Sequence, residues 1–132
     1  MKEEHLTRQI IGCAFKVHNI LGQGFLEKIY ENVLQIELAK LGIRVKQQEE
    51  LFVWYDGQIV GKYFPDLWIE KRLIIEIKAV QTILKEHQVT LVHYLTASHV
   101  DNGLLINFGP SVQVRRKFRE YTPKAPLINA LL

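Results

Sequence analysis

The chain has little that could cross-link it and little that would break it: one cysteine, four prolines and one methionine in 132 residues. A lone Cys13 excludes an intrachain disulfide and fits a reducing cytoplasm, which is the expected location. No apolar run approaches the roughly 18 residues of a membrane-spanning helix, so no membrane partner is expected. Met1-Lys-Glu-Glu-His lacks the basic-then-apolar pattern of a signal peptide. There is no Cys pair and no His-x-x-x-His. His87, His93 and His99 recur at a spacing that turns by about 240° on a helix, which sets zinc aside. Neither Gly22-x-Gly24 nor Gly57-x-x-x-Gly61 has the context of a phosphate loop. An excess of one charge is missing too. Seventeen Lys and Arg against 14 Asp and Glu leave +3, compatible with a polyanionic partner without demonstrating one.

What is present suits one globular domain, with 48% hydrophobic and 23% charged residues. Leu6, Ile10, Cys13, Ala14, Val17 and Leu21 predict a helix over residues 3 to 21, broken by Gly22-Gln-Gly24. A second helix is expected from about Phe25 to Leu41, burying Leu26, Ile29, Val33, Ile36 or Leu38, and Leu41, with Gly42 as its stop. Strands are expected near 43–55 and 58–64, joined at Asp56-Gly57, a strong tight-turn dipeptide. Further strands follow near 65–69 and 73–79, then a helix near 84–98 and strands near 103–108 and 111–116. That order predicts an α/β fold, a mixed central β-sheet flanked by helices. The domain is expected over 1–121. Residues 122–132 are expected to be a Pro-containing linker and an apolar tail, Leu127-Ile-Asn-Ala-Leu-Leu132.

The chemistry gathers at Tyr63-Phe-Pro-Asp66 and Leu73-Ile-Ile-Glu76-Ile-Lys78. Glu70-Lys71-Arg72 is the polar cluster between two apolar runs, so a hairpin turn belongs there. Centred on Lys71, that turn sets Asp66 opposite Glu76, with Cβ atoms about 4.5–5.5 Å apart. The two-residue period of a strand puts Lys78 on the same face. Two carboxylates so close, beside Ile74 and Trp68, repel, and without a cation at least one should hold its proton at neutral pH. Oxygen-only ligation selects a hard ion, Mg²⁺ or Mn²⁺, and such an ion can activate a bound water. Lys78 would assist that water or neutralise charge on a phosphoryl oxygen. An ion pair of Lys78 with Glu76 or Asp66 in a half-exposed sheet would explain the same residues.

Pro65-Asp66…Glu76-Ile77-Lys78 resembles the signature of the PD-(D/E)XK nuclease superfamily, the restriction-endonuclease-like fold. Gly24-Phe-Leu-Glu27-Lys-Ile-Tyr30 resembles the element that names its GxxExxY family. Val17-His18-Asn-Ile-Leu21-Gly22-Gln-Gly24 and Gly103-Leu-Leu-Ile-Asn107-Phe108-Gly109 are similar to that family as well. The resemblance runs from about Ile10 to Gly109, with the first helix as an addition to the superfamily core. It implies metal ligation by Asp66, Glu76 and the Ile77 carbonyl, Lys78 as catalytic lysine, and Glu27 as an acid presented from a helix. Glu27 is expected to meet the metal directly or through water. Tyr30, three residues on, shares its helix face. A solvated glutamate and a core-edge tyrosine would give the same spacing. The family's helix with Gln-x-x-x-Tyr appears here as Thr90-Leu-Val-His93-Tyr94, so the tyrosine is kept and Thr90 stands in the glutamine position.

Two further readings stay open. His18 would border the site if the first helix packs beside the second, or would be a satisfied, half-buried histidine. Arg115, Arg116, Lys117 and Arg119, with Phe118 interleaved, would track a phosphate backbone, or would form a solvated strand end. The expected function is metal-dependent hydrolysis of phosphodiester bonds in nucleic acid, DNA first. The alternative is a nuclease-like module that binds nucleic acid or a protein without cutting it. Double-strand cutting and the apolar tail both favour a homodimer.

Overall fold

The computed structural model describes residues 3–69 and 72–120. Glu70 and Lys71 of the expected turn, and the expected linker and apolar tail, lie outside the described residues.

Helix α1 (Glu4–Leu21) buries Leu6, Ile10, Cys13, Ala14 and Val17, the stripe its periodicity predicts. It stops at Gly22, whose N–H bonds the His18 carbonyl at 2.8 Å. Helix α2 (Glu27–Lys40) departs from expectation in its rotation. It buries Tyr30, Leu34 and Leu38, while Leu26 is 78% exposed and Ile29, Ile36 and Leu41 also face outward. Apolar residues lie all around this helix, so periodicity alone could not choose a face. Tertiary contacts choose: the Tyr30 ring stacks on Phe108 at 4.6 Å, and its hydroxyl donates to the Gly22 carbonyl at 2.5 Å. The helix ends before Gly42 as expected, and the Gly42 N–H bonds the Ala39 carbonyl at 2.9 Å.

The expected strand over 43–55 is instead two pieces, β1 (Lys46–Gln47) and β2 (Leu51–Tyr55). The break falls at Gln48, whose φ of 53° is incompatible with an extended run. Strand β2 pairs with β3 (Gln58–Tyr63) across Asp56-Gly57, both with positive φ as a type I′ turn requires. This hairpin is a separate two-stranded sheet. The main sheet has the order β1-β4-β5-β6-β7, built with β4 (Leu67–Ile69), β5 (Leu73–Lys78), β6 (Asn102–Phe108) and β7 (Val112–Phe118). Its neighbours are antiparallel except β5 and β6, which run parallel across the crossover helix α3 (Lys85–Ser98).

Leu67, Ile69, Leu73, Ile75 and Ile77 join Leu104, Ile106 and Phe108 beneath α1 and α2. Ile74 and Leu105 face the other way and join Leu91, Leu95 and Val100, with Trp68 and Tyr94 at the margin. Helix α3 lies close over β6 because position 103 is glycine: a Cβ there would stand 3.0 Å from Leu95 and 3.2 Å from Leu91. The mixed sheet flanked by helices agrees with expectation. So do the β4–β5 hairpin and the crossover.

Candidate active site

Strands β4 and β5 pair Leu67 with Ile75 and Trp68 with Ile74, a register that carries Asp66 opposite Glu76. The Asp66 Oδ2 accepts the Ile77 N–H at 2.7 Å, and Glu76 Oε1 accepts the Asp66 N–H at 3.4 Å. Because Ile75 and Ile77 enter the core under α1 and α2, Glu76 and Lys78 emerge on the α3 side with Ile74. The two acids and the lysine therefore share one face.

Burial dominates the electrostatics. It pushes the Glu76 carboxyl up to about 8; the Asp66 charge adds to this, and Lys78 opposes it. Burial also raises the Asp66 carboxyl, partly offset by the Ile77 N–H and raised again by Glu31 and Glu27. At neutral pH the pair thus favours keeping one proton, with Glu76 the more strongly raised of the two. The donor set fits a hard divalent cation: it is all oxygen, and the like charge that now favours protonation is what such an ion would relieve. Among the described residues no three His, Cys, Asp or Glu side chains converge as metal ligands. Protein carboxylates would thus supply only part of a coordination shell, as Mg²⁺ sites completed by water require.

Two tyrosines wall the site. Tyr63 and Tyr94 stack at 3.9 Å, and the Tyr63 hydroxyl donates to the Tyr94 carbonyl at 2.6 Å. Burial holds both phenols above the ordinary range, and the Glu76 charge adds to it. Thr90 is exposed on α3, one turn before Tyr94.

Helix α2 brings a further acid beside the one its motif suggested. Glu27 is exposed at the first residue of the helix and forms no hydrogen bond or ion pair among the described residues, though its charge reaches Asp66. Tyr30 is wholly buried, and its hydroxyl organises the turn at Gly22–Phe25. Glu31, only 3% exposed, is joined to Asp66 through the Gln48 carboxamide, 3.1 Å from Asp66 Oδ1 and 3.2 Å from Glu31 Oε1. Sequence reasoning missed Glu31 and Gln48. The polar run Gln47-Gln48-Glu49-Glu50 inside an apolar stretch was the signal of a break there.

The remaining candidates disperse. His18 gives Nε2 to the Gly109 carbonyl at 2.8 Å and stacks against Phe108, so it is the satisfied, half-buried histidine. His87 caps α3 through the Leu84 N–H at 3.1 Å. Arg116 pairs with Glu4 at 2.9 Å, and Arg119 with Asp101 at 3.3 Å. Strand alternation splits the basic run: Val112 and Val114 pack beneath α1 and α2, so Arg115 and Lys117 lie on the α3 face while Arg116 and Phe118 do not. Asn107, beside Lys78 across β5 and β6, straps the Val80 N–H and carbonyl, each at 2.9 Å.

A mixed sheet whose paired strands hold an acid pair and a lysine on one face has the architecture of a nuclease-like domain. Residues 4–120 match the family model of the PD-(D/E)XK nuclease superfamily, and the chain belongs to that superfamily. Nucleases of this superfamily generally use divalent metal ions. The crystal structure of SSO0001 is similar over 89% of this chain and 59% of that one, with 21% identity and a TM-score of 0.58. At that identity the likeness concerns the fold. No curated protein matches the chain. No helix among the described residues is long and apolar enough to cross a membrane.

Proposed function

We propose that the protein is a GxxExxY-type nuclease that hydrolyses phosphodiester bonds in DNA with Mg²⁺ or Mn²⁺. The observation that carries this reading is the opposed pair Asp66 and Glu76 with Lys78 on their face. Asp66, Glu76 and the Ile77 carbonyl would hold the cation, and Glu27 would meet it through water. When bound, such an ion lowers the pKa of a water ligand and neutralises phosphoryl charge. Lys78 offers its ammonium to the oxygen on which charge develops. The protonated Tyr94 phenol is a hydrogen-bond donor on the same side. Arg115 and Lys117 lie on the sheet face that bears the acids, where they would track the DNA backbone. Buried Cys13 suits the reducing cytoplasm.

Mg²⁺-dependent DNA cleavage by the purified protein tests this. Asp66→Ala should abolish it, and Lys78→Ala should slow it by about 10²- to 10³-fold, with circular dichroism showing both variants folded. Cleavage unchanged in both variants would refute the assignment. Mg²⁺-independent DNA binding without cleavage by the wild type would instead favour a binding module.

A further inference from the structure

Gln48 adopts a backbone conformation that side-chain-bearing residues avoid, with φ of 53°, where glycine is the usual occupant. The side chain accounts for its presence. Its Nε2 stands 3.1 Å from Asp66 Oδ1, 3.2 Å from Glu31 Oε1 and 3.4 Å from Glu31 Oε2. Ionised carboxylates only accept hydrogen bonds, so the nitrogen end of the carboxamide must face them. Glu31 is itself fixed, by Lys28 and by Gln47, each 2.9 Å from its Oε2. On the far side of Asp66, the Ile77 N–H holds Oδ2 at 2.7 Å. One donor on each oxygen fixes the plane of the carboxylate and leaves each oxygen a spare lone pair.

From this geometry we infer that Gln48 is a positioning residue for Asp66, aimed by Glu31, and that it sets the carboxylate for a divalent cation. The inference rests on the metal-dependent reading above and extends it to a relay that begins on α2. Glu31 acts through Gln48 and does not itself touch the ion.

Mn²⁺ titration calorimetry, with thermal melting of the metal-free protein alongside, tests the relay. Glycine accepts the backbone at position 48, and that relief offsets part of what buried Glu31 loses as a partner, so Gln48→Gly should stay folded and melt close to the wild-type temperature. Its Kd for Mn²⁺ should nevertheless rise about 10- to 100-fold, the usual loss when a ligand's outer partner is removed. A merely structural side chain would leave Kd alone whatever the melting temperature did, and that result would overturn the inference. Glu31→Ala should raise Kd by a similar factor, and the double variant no further, since the two residues form one path. Losses that add would make Glu31 an independent ligand and overturn the relay. If Glu31→Ala does not fold, Gln48→Gly decides alone. Wild-type protein that takes up no Mn²⁺ would defeat the metal-dependent reading and the inference with it. Wild-type uptake with an unchanged Kd in Gln48→Gly would defeat the inference only.

Discussion

The tight hold of Glu76 on a proton follows from where the side chain sits, partly buried on the α3 side of the sheet and within reach of the Asp66 charge. A carboxyl whose native pKa is raised binds its proton more tightly folded than unfolded. Its contribution is therefore complete below the ordinary value of 4.5 and is lost as pH rises through about 8. Metal-free protein should lose stability across that window, by on the order of a few kcal/mol. Glu76→Gln should melt higher than wild type above pH 8 and show a flatter profile. Melting curves in chelator from pH 4 to 9 would check this, and identical profiles would sink it. Tyr30 gives a second residue-scale test. Tyr30→Phe keeps the stacked ring but leaves the Gly22 carbonyl without its donor, at a cost of about 1–3 kcal/mol in denaturant unfolding. Because the hydroxyl is structural, the folded variant should retain its activity.

Among the elements, the β2–β3 hairpin is the one that stands outside the main sheet. Its Tyr63 ring, stacked on Tyr94, ties it to α3. Tyr94→Ala should speed amide exchange across Leu51–Tyr63 while β5 and β6 stay protected. Equal acceleration in the central strands would show that the stack supports the whole domain instead. The elements also show what a sequence discloses. Strong local signals were legible: the Asp56-Gly57 turn, the α1 stripe, and the polar turn that aligns Asp66 with Glu76. The rotation of α2 was not, because Leu26, Ile29 and Ile36 compete with Tyr30, Leu34 and Leu38 for the core. Glu31 was hidden for a related reason. A buried acid is tolerable only with partners, and two of its partners, Gln47 and Gln48, are 16 and 17 positions away along the chain. The basic run looked continuous in sequence, yet alternation along β7 divides it between two faces.

At the scale of the molecule, the site strand β5 is clasped on both sides, antiparallel to β4 and parallel to β6. That leaves Glu76 and Lys78 on the most constrained part of the sheet and the basic run of β7 at its rim. Strand β7 closes the sheet order, and among the described residues it has a strand on one side only. The alternate backbone groups that a seven-residue edge strand turns outward would ordinarily invite another chain to add a strand. Arg115, Arg116 and Lys117 sit in the middle of that rim. Arg115→Gln with Lys117→Gln should therefore promote concentration-dependent association, measured by sedimentation, and weaken the salt dependence of DNA binding. A double variant that stays as monodisperse as wild type would remove the first half of that expectation. If it holds, the border of the sheet works as a sorting rule: it turns away copies of itself, which arrive with matching positive fringes, and admits a polymer whose every repeat is negative.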